Sequence, residues 1–232
     1  SQIESHIGFR LRHSRVVHHG TSPRFFRPRK PQRRREFFTL VEPFRLLYVS
    51  IVEPYKHQDV VVDAVAMLRK RGLPVTLALV GPGSPPAQAR LKSQIAHLDP
   101  RGEFIHYHGM IPYAELTGVY DAADAFVFAS SCETFGIILL EAMAGGLPII
   151  SSHSSAMPEV VGPAAFFFDP LHSESLGAAI RRLFDDDGLR RSLSFQAQEQ
   201  ARGFTWEKCA NETFGFVRET YDRFRAGAGT TT

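Results

Sequence analysis

Cysteine is scarce in this chain: Cys132 and Cys209 are the only two in 232 residues. Two cysteines cannot build a disulfide framework, so an ordinary apolar core has to hold the fold, and the usage suits a reducing compartment. Long apolar runs are also missing. None approaches the roughly 18 residues that a membrane-spanning helix needs. Histidines are present, but no cysteine or carboxylate stands beside them at ligand spacing, so neither His106 and His108 nor His57 and His153 read as a metal site. Acid is nearly absent from one end. Residues 1–35 hold ten Arg or Lys against a single acid, Glu4, which leaves 17 basic and 23 acidic residues for the rest. A basic arm on an acidic body suggests an anionic partner or a solvated linker. No aromatic-studded strand or zinc spacing accompanies the charge, which sets nucleic acid aside.

What the chain does have is Glu133-Thr-Phe-Gly-Ile-Ile-Leu-Leu-Glu141, followed at once by Ala-Met-Ala-Gly-Gly-Leu-Pro. Glu141 is a lone carboxylate among Ile137, Ile138, Leu139, Leu140, Ala142 and Met143. A buried carboxylate requires a partner, either a protein donor or the hydroxyls of a ligand. Were the stretch helical throughout, the eight-residue offset from Glu133 would span roughly 12 Å and rotate by about 80°. Two carboxylates so placed could grip both ends of an extended ligand. Between them, Thr134, Phe135 and Gly136 would lie at a helix N-terminus, a natural anion site. Hydroxyls at both ends and negative charge between them describe a nucleotide-sugar.

The surrounding pattern alternates strands with helices. Strands are expected at Phe44–Val49, Val75–Val80, Phe104–Tyr107, Ala125–Ala129, Leu147–Ser151 and Ala164–Phe168. Helices are expected at Asp59–Arg71, Ala87–Leu98, Tyr113–Tyr120 and Phe135–Ala144, with more following to about Arg225. That order predicts an α/β fold with a Rossmann-like parallel sheet and helices on both faces, binding its ligand at the C-terminal strand ends. The loops Ser50–Lys56, Gly81–Ser84, His108–Pro112 and Ser130–Gly136 fall there. Residues 27–43, rich in Arg, Pro and Lys, read as a mobile segment.

These landmarks, in this order, resemble the retaining GT-B glycosyltransferases of family 4, the glycosyl transferases group 1. Glu133 to Glu141 resembles the family's E-x7-E signature. Leu79-Val-Gly-Pro-Gly83 resembles its strand-to-Gly-x-Gly loop, and His106-Tyr-His-Gly-Met110 the strand before its nucleobase turn. Ala123-Asp-Ala-Phe-Val-Phe-Ala-Ser130, Pro158-Glu-Val-Val-Gly162 and Phe204-Thr-Trp206 match further landmarks. The likeness runs from about Arg45 to Phe224 and is nearest to bacterial O-antigen and polysaccharide mannosyl- or rhamnosyltransferases.

The resemblance implies the C-terminal, donor-binding half of a two-domain enzyme. Residues 1–43 would be the basic segment leading from a missing N-terminal domain, 44–225 the nucleotide-sugar-binding domain and 226–232 a tail. It implies transfer of a hexose, with retention, from a nucleoside-diphosphate sugar to a saccharide or lipid-linked acceptor held by the other domain. A GDP-linked donor is favoured. Glu133 and Lys56 would carry the chemistry, the first on the donor sugar and the second on the diphosphate. Glu141 would take the ribose hydroxyls. Phe135, Gly136 and Thr134 would supply the helix N-terminus, Gly81 and Gly83 a close backbone approach, and Met110 the base-framing turn. No metal or other cofactor is implied. The enzyme is expected in the cytoplasm, with the basic segment a candidate for peripheral contact with the inner face of the membrane. The sequence departs from the family at Ile51, where the pattern has a phosphate-binding Arg, and at Ser50, where it usually has Gly. A non-catalytic nucleotide-sugar-binding or regulatory module, or a GT-B epimerase, stands as the alternative.

Overall fold

Phe44–Val49 (β1) is buried along nearly its whole length, on both faces, and so lies at the centre of a sheet. In the computed structural model, which describes residues 2–11 and 13–228, β1 is one of six parallel strands. The others are Val75–Val80 (β2), Ile105–Tyr107 (β3), Ala125–Phe128 (β4), Ile149–Ser152 (β5) and Ala165–Phe168 (β6). Their order across the sheet is β3-β2-β1-β4-β5-β6. β1 pairs with β2 from Phe44 opposite Val75 to Val49 opposite Val80, and on its other side Leu46 faces Ala125.

The helices are Gln2–Ile7 (α1), Gln58–Lys70 (α2), Pro85–Leu98 (α3), Leu116–Ala122 (α4), Ile137–Ala144 (α5), Met157–Val161 (α6), Ser173–Asp185 (α7), Asp187–Ala201 (α8) and Trp206–Ala228 (α9). Parallel neighbours need long crossovers, and α2 to α6 provide them. α2 packs on α3 and α7, and α5 on α8. α2 buries Val61, Val62, Ala64, Val65 and Leu68 at helical spacing, as its sequence predicts. The chain divides into two compact units. Thr21–Gly203 holds the whole sheet. The second comprises Ser1–Gly20 with Phe204–Thr232; within it Arg15 pairs with Glu219 at 3.0 Å.

Two helix starts differ from the sequence reading. α5 begins at Ile137 rather than Phe135, because Gly136 is left-handed, φ 81° and ψ 55°, and stands as the N-cap. α4 begins at Leu116 rather than Tyr113, residues 113–115 forming a turn. The last helix runs on to Ala228.

Residues 27–43, read as a mobile segment, carry anchors. Phe38 is buried, edge-on to Phe44 at 5.1 Å and tilted against Phe184 at 5.6 Å. Arg33 reaches Glu42 at 3.0 Å. Arg190, fully buried, fastens the segment: its guanidinium donates to the carbonyls of Leu183 and Phe184 at 2.6 Å and of Arg33 at 2.5 Å. Burial pushes its pKa down, and the three carbonyls take the place of a counter-ion.

Candidate functional site

The strand order reverses direction between β1 and β4, since β1 leads outward to β2 and β3 while β4 leads to β5 and β6. Loops leaving neighbouring strands at such a point diverge and open a crevice. Here the two loops are residues 50–57 and 129–136. A short 3-10 turn, Pro54–Lys56, carries Lys56 into this crevice. Tyr48 of β1 fixes the turn by donating its hydroxyl to the Lys56 carbonyl at 2.6 Å. Burial pushes the Tyr48 phenol well up, so it remains a donor. Gln58 holds the start of the loop, its amide reaching Ser50 Oγ at 2.9 Å and the Ile51 carbonyl at 2.7 Å.

Lys56 and Glu133 are brought together. The Lys56 ammonium, on a side chain only 9% exposed, forms an ion pair with Glu133 Oε1. It lies 5.1 Å from the centroid of the Tyr55 ring and 5.6 Å from that of Phe128, whose negative faces favour a cation. The backbone of Glu133 is fastened to the loop after β5. Ser155 Oγ donates to the Glu133 carbonyl at 2.6 Å and accepts from its N–H at 3.2 Å. Ser155 has a left-handed backbone, φ 55°. Cys132 beside it is an exposed free thiol.

The nine residues from Glu133 to Glu141 are not one helix. Residues 133–136 are irregular, bent at Thr134 and Phe135 and left-handed at Gly136, so the helical offset expected from the sequence applies only from Ile137 onward. Thr134 is exposed and Phe135 buried, and Gly136, ahead of the first turn of α5, lies beside Phe128 of β4, whose ring a Cβ there would approach to 3.8 Å.

Glu141 is 5% exposed and finds its partners within the protein. Tyr120 of α4 donates its hydroxyl to Oε2 at 2.9 Å, and Tyr113 donates to Oε1 at 3.3 Å. Burial pushes the Glu141 carboxyl up, and the two hydroxyls oppose that shift without cancelling it. Tyr120 is pushed well up by burial and by the neighbouring carboxylate. Tyr113 is different: its side chain is half exposed, and the guanidinium of Arg24 lies over its ring at 4.4 Å and donates to its carbonyl at 2.5 Å. Phe25 closes the group edge-on to both tyrosines. Tyr113, Tyr120 and Arg24 were not singled out in the sequence. The signal existed in part, because a lone buried carboxylate demands donors and two tyrosines precede it in the sequence, Tyr120 on α4 and Tyr113 in the turn before it.

Gly81 and Gly83 are required by the chain itself. At Gly81, φ 138°, a Cβ would lie 2.0 Å from the Ser50 carbonyl oxygen, and at Gly83 one would lie 2.7 Å from the Val52 side chain. These glycines let the loops after β1 and β2 touch, with Val52 bridging Gly83. Gly81 also ties in the loop after β3, donating to the Gly109 carbonyl at 2.7 Å and accepting from the Tyr107 hydroxyl at 2.9 Å. Met110 follows, 77% exposed. An apolar recess of about 700 Å³, lined by Leu47, Ala78, His106, Ile111 and Val119, includes none of Lys56, Glu133 and Glu141. Position at the strand reversal, not cavity size, marks the candidate site. Among the described residues no three His, Cys, Asp or Glu side chains could hold a metal ion together, and no helix is long and apolar enough to cross a membrane.

The family model described as "Glycosyl transferases group 1" matches residues 30–200. An O-antigen chain mannosyltransferase B from Escherichia coli is 31% identical over 72% of this chain and 44% of its own length. A D-inositol 3-phosphate glycosyltransferase from Arthrobacter sp. (strain FB24) is 26% identical over 97% of this chain and 54% of its own. Among solved structures, the sucrose-phosphate synthase of Thermosynechococcus elongatus superposes with a TM-score of 0.80 at 26% identity, covering 96% of this chain and 57% of that one. The Anabaena protein HepE, solved with UDP and glucose, shares the fold at a TM-score of 0.79 and 22% identity, over 92% of this chain and 59% of its own. The chain thus spans about half the length of the curated relatives it matches.

Proposed function

The chain belongs to the glycosyl transferases group 1 family, and we propose that it is the donor-binding part of a retaining glycosyltransferase. The reaction moves a hexose from a nucleoside-diphosphate sugar to a saccharide or lipid-linked acceptor held elsewhere in the whole protein. The observation that carries this reading is the meeting of Lys56 and Glu133 across the crevice between β1 and β4, with Glu141 on the helix that follows.

Each group has a task. As the bond from the anomeric carbon to the diphosphate breaks, negative charge grows on the departing phosphate and positive charge on the sugar ring. Lys56 offsets the first, aided by the N-terminal turn of α5. To do so it exchanges Glu133 for the diphosphate, which frees the Glu133 carboxylate for the hydroxyls of the sugar. Glu141 holds the ribose hydroxyls and fixes the nucleoside end. The domain's contribution is orientation and stabilisation of the leaving group. No metal is assigned a part, so binding should be indifferent to chelators.

A mannose- or rhamnose-like sugar on GDP is the first choice of donor, supported by the likeness to a mannosyltransferase; the UDP seen in HepE makes UDP-glucose the comparison. Ten basic residues in the first 35 support peripheral contact with an anionic membrane surface. One observation favours a second reading, a donor-binding module without catalysis: Ile51, 44% exposed, stands where the family pattern has an Arg.

Calorimetric titration with GDP-mannose, UDP-glucose, GDP and UDP, with and without EDTA, tests the proposal. Binding of one nucleotide class, undiminished by EDTA and at least tenfold weaker in Lys56→Ala, is expected. Equal affinity of Lys56→Ala for the diphosphate would remove Lys56 from the reading. Binding by the isolated chain, with no sugar transfer once the full-length protein is assayed, would favour the module without catalysis.

A further inference from the structure

His57 is one of two non-glycine residues among the described residues with a left-handed backbone, φ 51° and ψ 38°. L side chains avoid that region, and glycine would occupy it without strain. A strained side chain kept in place invites a functional explanation. His57 follows Lys56 directly and stands as the N-cap of α2, where its carbonyl accepts from the Val61 N–H at 3.2 Å. Its imidazole turns across the crevice, with Nε2 2.8 Å from Ser131 Oγ. Ser131 in turn donates its backbone N–H to the Tyr55 carbonyl at 2.9 Å.

The ties that join the loop carrying Lys56 to the loop carrying Glu133 are the ion pair, the Ser131–Tyr55 backbone bond, longer bonds from the Ser130 and Ser131 hydroxyls to the Tyr55 carbonyl at 3.4 and 3.3 Å, and the His57–Ser131 contact. The ion pair is the tie that a bound diphosphate would take over. We propose that His57 is a positioning residue that keeps the two loops in register when Lys56 leaves Glu133 for the donor. This rests on the donor site proposed above. The left-handed backbone is what aims the ring at Ser131; the other lasting ties between the two loops converge on the Tyr55 carbonyl, and Ser155 holds Glu133 to the loop after β5 rather than to Lys56, so His57 is the tie made by the residue next to Lys56.

Two substitutions separate the side chain from the backbone. His57→Gly keeps the backbone conformation and removes the ring. His57→Gln keeps a polar group at about the same reach but is less suited to a left-handed backbone. Melting temperature, exchange of the Ser131 amide hydrogen and affinity for GDP and UDP are measured for both, and for Ser131→Ala. The brace predicts that His57→Gly melts within roughly 3 °C of the wild type, relief of strain opposing the added chain entropy. Its Ser131 amide should exchange at least about tenfold faster, and nucleotide affinity should fall about tenfold or more. His57→Gln should melt lower yet bind nearly as well as wild type, and Ser131→Ala should resemble His57→Gly. A residue serving only the backbone gives the opposite order, with Gly binding normally and Gln worst, and that result overturns the inference. Unchanged exchange in His57→Gly overturns it too, even if the wild type binds no nucleotide. Absence of wild-type binding with accelerated exchange in the variant instead counts against the donor reading and leaves the brace standing.

Discussion

Replacing Glu141 by Gln should make this protein more stable at neutral pH. The carboxyl is 5% exposed and burial pushes its pKa above the ordinary 4.5, against the pull of the Tyr120 and Tyr113 hydroxyls. A raised folded value means that the folded state holds a proton where the unfolded state has lost it. Stability from this group is therefore complete below about pH 4.5 and falls as pH rises through the folded value. At neutral pH the ionised carboxylate is a net cost. Gln removes the charge and keeps an oxygen for the Tyr120 hydroxyl at 2.9 Å, and its NH2 can donate to the Tyr113 oxygen. Two charge-assisted bonds become neutral ones, each weaker by about 1 kcal/mol. The direction of the pKa shift says that burial outweighs them. The expected net gain is about 1 kcal/mol, the usual scale for a single stabilising substitution. For a chain of this size that is a rise of about 2–4 °C in Tm.

Thermal melts of wild type and Glu141→Gln from pH 5 to pH 8 test this. The gap between the two proteins should be smallest at the acidic end and widen towards neutrality, while affinity for the nucleotide falls. A Gln variant less stable at pH 7, or a gap that does not change with pH, would refute the reasoning. It would mean that the tyrosine hydroxyls, rather than burial, dominate the energetics of Glu141.

Arg190→Met should lower stability by about 2–4 kcal/mol, since three buried carbonyls lose their donor and only part of that is offset by no longer burying a cation. Urea denaturation should show its midpoint falling by about 1–2 M with an unchanged slope, and a shift under 0.3 M would show that the carbonyls find other donors. Tyr113→Phe should change stability by less than about 0.5 kcal/mol, because the residue is half exposed and its bond to Glu141 is long. If a ribose must displace that hydroxyl from Glu141, the variant binds nucleotide several-fold more tightly in calorimetry; weaker binding would make Tyr113 a direct contact instead.

The sheet was legible because parallel strands buried on both faces read as apolar runs. Phe44–Val49 and Val75–Val80 end where the sequence says they end, as each is stopped by a loop of Ser, Gly or Pro. The site loops were legible for the same reason, since they must follow those strands. The local geometry inside them was not. Gly136 could have continued a helix as far as periodicity is concerned; only its left-handed backbone moves the start of α5 to Ile137. The reason for Gly81 is a contact with Ser50, thirty-one positions away, which no local pattern records. Glu141 announced that it needed a partner, but whether protein or ligand would supply it depended on how α4 lies beside α5. Arg190 gave no signal at all, because a buried arginine in an amphipathic helix looks like any surface one.

The two carboxylates show how such a site can stay folded and still receive a charged ligand. Lys56 needs an anion, and Glu133 supplies one whose oxygens resemble those of a phosphate. Glu141 needs hydroxyl donors, and Tyr113 supplies one where a ribose hydroxyl would serve. Each charged group is thus satisfied by a side chain chemically like the part of the donor proposed for it. Leaving either without a partner would cost several kcal/mol. With partners in place, donor binding becomes an exchange of like for like, and its net free energy is smaller than the contacts in the complex would suggest. On the proposed reading the exchange at Lys56 would also release Glu133 beside the sugar, so that one binding event would place both the group for the leaving phosphate and the group for the reacting ring. Tyr120 would stand outside this exchange: it is buried and bonded to Oε2, and it would keep Glu141 from being left without a donor if a ribose displaced Tyr113.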